Sequence, residues 1–319
     1  MTNPLPATTQ APPKIESLKP ATSFFVATNP ETATYPRPAQ NLFEAQLALA
    51  RQGISSGSID GLIGPQTRDA LRAFQQKKSL PATGELDAAT KARLLMNAPP
   101  LVKYQVTASD LGRLQPLSPT WLGKSQQTAL EYETILELLA EKGHANPKLV
   151  RALNPAINWT NVVAGTDVQL PDASYPDSAP KATFIAIHLA EKVLEVFDAN
   201  TNLLAHFPCS IAQNVAKRPV GELHVAVIAP NPNYTLDPEI FPESPEARRL
   251  KTKLVLPPGP NNPVGVAWIG LDKPGYGIHG TPSPEQVGRT ESHGCFRLAN
   301  WNAEYLLRMV SIGMPVRVE

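Results

Sequence analysis

A chain of 319 residues with 42% hydrophobic content is long for one core and apolar enough to pack several, so two or three domains are expected and wholesale disorder is excluded. Its formal net charge of +1 lacks the basic excess of a nucleic-acid binder, and no apolar run approaches the roughly 20 residues that cross a bilayer. The 34 prolines stand at about twice ordinary usage and announce linkers, extended segments and short elements.

The first residues, Met1-Thr2-Asn3-Pro4, carry neither the basic nor the apolar region of an export signal. Residues 1–39 are rich in Pro, Ala and Thr without a sustained period, which reads as an extended tether or an arm packed on a later domain. Over 40–98 the pattern turns helical, with Leu42, Ala45 and Leu49, then Leu71 and Phe74, at three- and four-residue spacing. Gly61 and Gly64 suit a turn, Pro65 suits a first helical position, and Asp87 suits an N-cap, predicting a three-helix unit with an internal half-repeat.

Over 99–176 the order reads strand, helix, helix, strand. Tyr104 to Val106 alternates, Tyr132 to Leu139 is amphipathic, Asn146-Pro147 opens a second helix, and Val168 to Pro171 closes as a strand. Residues 172–181 form a proline-marked linker. From 180 to 319 the pattern is β, with strands over Thr183 to His188, Lys192 to Phe197 and Leu203 to Ile211, and a turn and another strand within Arg218 to Val227. Asn231 to Pro263 is rich in Pro and Asn and reads as a substrate-binding loop or a braced surface excursion. Ala303, Leu306, Leu307 and Val310 predict a helix, and Met314 to Val318 a final strand.

The chemistry-bearing stretches are Ile278-His279-Gly280-Thr281-Pro282 and Glu291-Ser292-His293-Gly294-Cys295-Phe296-Arg297-Leu298. A thiol attacks as thiolate, and an imidazole can take its proton. Gly294 lets backbone approach a substrate carbonyl, so its N–H and that of Cys295 can hold an oxyanion. These residues read as a cysteine acyltransferase, with His279 as base and then acid for the leaving amine. His293, two residues before its nucleophile, is awkwardly placed for that role. Arg297 either pairs with a substrate carboxylate or braces the loop. His144, His188, His206 and His224 lack metal-ligand spacing, although His188 and His224 lie on strands within range of the cleft. Cys209 reads as a small buried residue at a strand end.

Together these motifs resemble the L,D-transpeptidases, the cysteine enzymes that cross-link peptidoglycan. Asp60-Gly61-Leu62-Ile63-Gly64-Pro65-Gln66-Thr67, followed by Phe74-Gln75, resembles their peptidoglycan-binding domain. Leu153-Asn154-Pro155 and Ala164 to Pro171 are similar to the end of a lysin motif, while Ala108-Ser109-Asp110-Leu111 and an insertion of extra residues before the first helix depart from its beginning. The resemblance implies a multidomain fold: a tether (1–39), a small all-α peptidoglycan-binding domain (40–98), a divergent α/β lysin-motif-like segment (99–176) and a mainly-β, sandwich-like catalytic domain (180–319). It implies that Cys295 attacks the bond before the terminal D-Ala of a tetrapeptide stem, with His279 as base and the Gly280 carbonyl orienting its ring. Ser292 then fixes the loop, while His293 and Gly294 line the pocket and supply oxyanion N–H groups. Asn302 stands where relatives carry an Asp and would cap the following helix.

No metal or organic cofactor is implied. The partners implied are stem peptides and glycan, with a second stem or a wall-anchored protein as amine acceptor. Water as acceptor would make an L,D-carboxypeptidase, and loss of chemistry a wall-binding protein. The implied location is the cell envelope, periplasmic or wall-associated, with the export signal trimmed.

Overall fold

Local capping sets the helices of the N-terminal unit. Strand β1 (Arg37–Pro38) leads to α1 (Leu42–Ala50), where Asn41 accepts from the Glu44 N–H, and Asp87 likewise accepts from Thr90 at the start of α3 (Ala88–Arg93). Each such cap is worth about 1 kcal/mol. Between them α2 (Pro65–Lys77) begins with Pro65, whose missing N–H would have had no helical partner. The half-repeat rests on two buried glutamines. Gln46 donates to Asp60 and Thr67 and accepts from the Gly61 N–H, and Gln75 donates to Thr90 and accepts from the Gly84 N–H. Gly61 and Gly84 sit at φ of 74° and 71°, where a side chain would be strained. Pairing of β1 with β2 (Leu95–Met96) closes the unit. The expected tether over 1–39 therefore ends too late, because Arg37 and Pro38 already belong to this fold.

The computed structural model describes residues 33–239, 245–289 and 294–319, and residues 34–319 pack as one body. In the middle segment β3 (Leu101–Gln105) pairs antiparallel with β4 (Asp167–Pro171). Between them run α4 (Ala108–Gly112), α5 (Trp121–Ser125), α6 (Ile135–Lys142) and α7 (Pro147–Leu153). Helix α6 starts three residues after Tyr132 because Thr134 and Glu137 form a reciprocal capping box there. The insertion seen in the sequence carries α5.

Arg51 ties this segment to the N-terminal unit. Its guanidinium donates to the carbonyls of Ala98, Pro99 and Asp172 and to the Asp172 carboxylate, at 2.6 to 2.9 Å. Arg51→Ala leaves these acceptors short of a donor, and charge-assisted bonds of this kind set an expected loss of roughly 2–3 kcal/mol in chemical unfolding. An unchanged denaturation midpoint would refute this account of the junction.

The C-terminal strands are β5 (Phe184–His188), β6 (Val193–Phe197), β7 (Leu203–Pro208), β8 (Gly221–Pro230), β9 (Tyr234–Leu236), β10 (Leu254–Leu256), β11 (Ala267–Leu271), β12 (Gly277–His279), β13 (Phe296–Arg297) and β14 (Pro315–Val318). Eight of the described strands form one mixed sheet in the order β13-β12-β11-β8-β14-β5-β6-β7. The start of β8 pairs with β14 and its remainder with β11, so this ten-residue strand carries the sheet around a bend. Its two outer strands then meet: Ser210 and Arg297 exchange backbone hydrogen bonds of 2.9 and 3.0 Å. The expected sandwich is thus one sheet curled on itself. Alternation along a strand reports its buried face and is silent about its neighbours.

Ile185, Leu194 and Phe207 from one half of the sheet pack with Ile269, Ile278 and Phe296 from the other and with Leu306 of α9 (Asn300–Leu307). The outer edge of β7 is covered by the N-terminal unit, through Ser55 N–H to His206 O (2.8 Å) and His206 N–H to Gly53 O (3.0 Å). The 231–263 segment is more regular than expected. It pairs β9 with β10 and carries α8 (Pro245–Leu250), with residues 240–244 outside the described residues. Leu236, Leu254 and Leu256 of this insertion form a cluster with Leu130 and the ring of Trp121 from the middle segment.

Candidate active site

The seam of the curled sheet carries the sequence motif. β12 lies between β11, where Trp268 is opposite His279, and β13, where Arg297 is level with His279 and Phe296 with Ile278. By strand alternation, Gly277 and His279 share a face with Cys295 and Arg297. The contacts agree: Cys295 Sγ lies 3.4 Å from the Gly275 carbonyl oxygen, and the Gly277 N–H donates toward the sulfur.

His279 is 4% exposed, and its Nδ1 lies 2.6 Å from the Gly280 carbonyl oxygen. A carbonyl only accepts, so Nδ1 carries the proton and Nε2 is left as the basic nitrogen. Trp268 stacks on the imidazole with ring centroids 5.7 Å apart. A Cβ on Gly277 would come within 2.7 Å of the Trp268 ring, so glycine there is what admits the indole.

Behind Gly280 stands Asn300, fully buried at the start of α9. Its Oδ1 accepts from the Val266 N–H at 3.3 Å, and its Nδ2 donates to Pro260 O at 3.1 Å and to Glu141 of the middle segment at 3.4 Å. Nothing in the sequence marked Gly277, Trp268 or Asn300 as parts of the site, since each acts through packing. Asn302 departs from expectation. The N-cap position is Ala299, and Asn302 is buried, accepting from the Tyr175 hydroxyl and donating to Ser55 Oγ.

Burial pushes the His279 pKa down to about 4; the Gly280 carbonyl opposes this and the Arg297 charge adds to it. Burial also raises the Cys295 thiol, against the pull of the Gly277 N–H and Arg297. Both shifts favour the neutral groups, thiol and imidazole, at neutral pH. Iodoacetamide alkylation of Cys295 should therefore keep accelerating above pH 8. A plateau reached already between pH 5 and 6 would indicate a preformed thiolate–imidazolium pair and overturn this.

Arg297 opens onto a cleft of about 320 Å³. Ser210, Thr281, Ser283 and Gln286 line it from the catalytic domain, together with Asn261 of the insertion and Trp121 and Lys124 of α5. Gly294 is half-buried beside the Tyr276 ring. Ser292 and His293 lie outside the described residues. Cys209 is fully buried with its thiol pushed far up by desolvation.

The other histidines sit elsewhere. His188 and His206 both engage Glu195, His224 engages Asp272, and His144 stacks on Trp301. None of them lines the cleft, and among the described residues no cluster suited to a metal ion is present. Asp60 and Thr67 bond within the N-terminal unit and also border a second cleft, of about 280 Å³, facing residues 284–289.

Comparison with known proteins follows the same division. Residues 182–318 match the family described as the L,D-transpeptidase catalytic domain, and residues 38–94 match that described as "Putative peptidoglycan binding domain". "Putative L,D-transpeptidase YkuD" of Bacillus licheniformis is 26% identical over 186 residues, 58% of this chain and 93% of the relative. "Probable L,D-transpeptidase YbiS" of Escherichia coli is 28% identical over 166 residues, 51% of this chain and 53% of the relative. The chain thus spans about half the length of the latter. A solved L,D-transpeptidase from Mycobacterium smegmatis aligns over 50% of this chain and 64% of its own, at 20% identity and a TM-score of 0.34. The chain thus carries a segment matching the L,D-transpeptidase catalytic domain at residues 182–318, preceded by one matching the putative peptidoglycan-binding domain at 38–94.

Proposed function

We propose that the protein is a peptidoglycan L,D-transpeptidase in which Cys295 is the nucleophile, His279 the general base and Gly280 the residue that orients it. The observation that carries this reading is the 2.6 Å contact of His279 Nδ1 with the Gly280 carbonyl, beside Cys295 in a segment that matches the transpeptidase family. As the thiol gives its proton to His279 Nε2, sulfur adds to the carbonyl of the third stem residue. The oxyanion is held by backbone N–H groups of Gly294 and Cys295, with that of His293. Collapse breaks the C–N bond, the imidazolium protonates the departing D-Ala amine, and a thioester remains. A side-chain amine of a second stem, or of a wall-anchored protein, attacks the thioester and loses its proton to His279. The new amide forms, and sulfur leaves and is reprotonated.

Ser292 fixes the loop before the nucleophile, and Arg297 attracts substrate carboxylates. The 40–98 domain holds the enzyme on the wall, on the periplasmic or outer side. The 99–176 segment is a divergent lysin motif that acts as a bracing element, a role supported by its packing on the insertion and by the Glu141–Asn300 contact.

Mass spectrometry of products from a defined tetrapeptide stem, with and without an amine acceptor, tests the reading. Cross-linked dimer with release of D-Ala is the expected result. Tripeptide alone in both reactions would make the enzyme an L,D-carboxypeptidase, and unchanged tetrapeptide would remove the catalytic assignment.

A further inference from the structure

The second cleft, of about 280 Å³, opens where three parts of the chain meet. Ser56, Ser58 and residues 62–67 line it from the N-terminal unit, Asn146 from the middle segment, and Pro284, Glu285, Gly288 and Arg289 from the catalytic domain. The meeting is fixed by backbone and side chain alike. The Ile59 N–H donates to His144 O at 2.9 Å, and the Asn146 N–H to Ile59 O at 2.8 Å. Gln66 of α2 donates to the Val287 carbonyl across the domain boundary. Two glycines make room for its amide. A Cβ on Gly57 would lie 2.1 Å from Gln66 Oε1, and one on Gly288 2.7 Å from Nε2.

The chemistry of this lining is that of a site for a neutral polar molecule. Its charged residues are Asp60, Glu285 and Arg289, and two carboxylates against one guanidinium disfavour an anion. Asp60 is moreover engaged in its own turn, accepting from Gln46 and from the Leu62 N–H. The remaining polar groups are hydroxyls and amides, beside Leu62 and Ile63, which stay 47% and 38% exposed. Ser56 and Ser58 carry the sharper signal. Their hydroxyl oxygens are buried without a hydrogen-bond partner among the described residues, and Ser56 as a whole is only 5% exposed. A buried, unpaired hydroxyl lowers stability where alanine would not. Two of them in one cleft point to a partner that arrives with a ligand.

We propose that this cleft binds a neutral, N-acetylated sugar of the wall glycan, and that the catalytic domain supplies one of its walls. Naming the wall glycan rests on peptidoglycan being the substrate. A sugar ring presents hydroxyls along its edge and C–H groups on its faces, which matches hydroxyl and amide groups set beside Leu62 and Ile63. An acetamido group adds an amide for Gln66 or Asn146 and a methyl for the apolar rim. The volume is at the small end for ligand sites and suits a single sugar unit. Ser283, Gln286 and Val287 line the Arg297 cleft, while Pro284, Glu285 and Gly288 line this one. One short segment therefore divides the two, and a glycan held on one side brings its attached stem peptide to the other.

The test is calorimetry of the full chain with a trimer of N-acetylglucosamine, which should bind, and with a trimer of glucose, which should bind more weakly. Ser56→Ala and Ser58→Ala should each weaken binding of the acetylated trimer by roughly threefold to tenfold, the scale of one hydrogen bond. Their denaturation midpoints should be unchanged or raised, because each removes an unpaired hydroxyl. Serines that served the fold alone would lower the midpoint and leave binding intact. Glu285→Ala combined with Arg289→Ala keeps the net charge and alters only the catalytic wall, and it should weaken binding to a similar extent. No binding of the acetylated trimer, equal binding of the two trimers, or full affinity in the Glu285/Arg289 variant would overturn the proposal. So would serine variants that keep full affinity or lose stability, or displacement of the trimer by a free tetrapeptide stem. Turnover of that stem by the parent protein is recorded alongside. Its absence would remove the transpeptidase reading and leave the binding result standing.

Discussion

Cys295→Ala is expected to lower turnover of a tetrapeptide stem by roughly ten-thousandfold or more, the scale at which loss of an enzymic nucleophile leaves only binding and oxyanion stabilisation. The fold should tolerate the change. Cys295 is half-buried, and its sulfur lies a long 3.4 Å from the Gly275 carbonyl oxygen, so a stability change within about 1 kcal/mol is expected. The second cysteine makes the experiment sharp. Cys209 is fully buried, and desolvation holds its thiol protonated, so it cannot substitute as nucleophile without unfolding. A thiol-reactive acylating probe should add once to the parent protein, at Cys295, and not at all to the variant. Residual turnover near the parent rate, or labelling that moves to Cys209, would place the nucleophile elsewhere.

The parts of this protein that could be read from its sequence are those in which chemistry and geometry are both local. Cys295, His279 and Gly280 lie in two short stretches, and the Gly280 carbonyl meets the ring of the residue before it, an arrangement that needs almost no tertiary information. Asp87 and Asn146 cap helices because a cap acts over two or three residues. What stayed hidden depends on strands and segments far apart in the chain. The meeting of Ser210 with Arg297 converts an expected sandwich into a curled sheet, and no periodicity encodes a strand's neighbour. Lys124 and Arg297 line one cleft although 99–176 looked like a separate module. Asn302 failed as a cap because the helix begins earlier, at Asn300, which turns Asn302 into the core. The 231–263 segment read as irregular because its strands are only three residues each, too short to show alternation.

Gly280→Ala is expected to cut kcat by roughly a hundredfold while costing about 1–3 kcal/mol of stability. The added Cβ would lie 2.3 Å from Asn300 Oδ1 and 3.3 Å from both Gly265 Cα and the Val266 nitrogen. Asn300 has little freedom to yield. It is 1% exposed, and its amide is held by Val266, Pro260 and Glu141. Relief must therefore come from the 280 backbone, and that backbone carries the carbonyl that fixes the His279 tautomer. A displacement on the order of 1 Å would break a bond of 2.6 Å and let Nδ1 lose its assigned proton, so that Nε2 no longer serves as base. The effect should fall on kcat, with KM for the stem peptide nearly unchanged, since Gly280 does not line the cleft. Nitrogen chemical shifts of the His279 ring give a readout independent of turnover. The parent should show a protonated Nδ1 and a basic Nε2, and the variant a mixture of the two tautomers. A variant that keeps both the parent tautomer and the parent kcat would show that the Gly280 carbonyl does not orient the base.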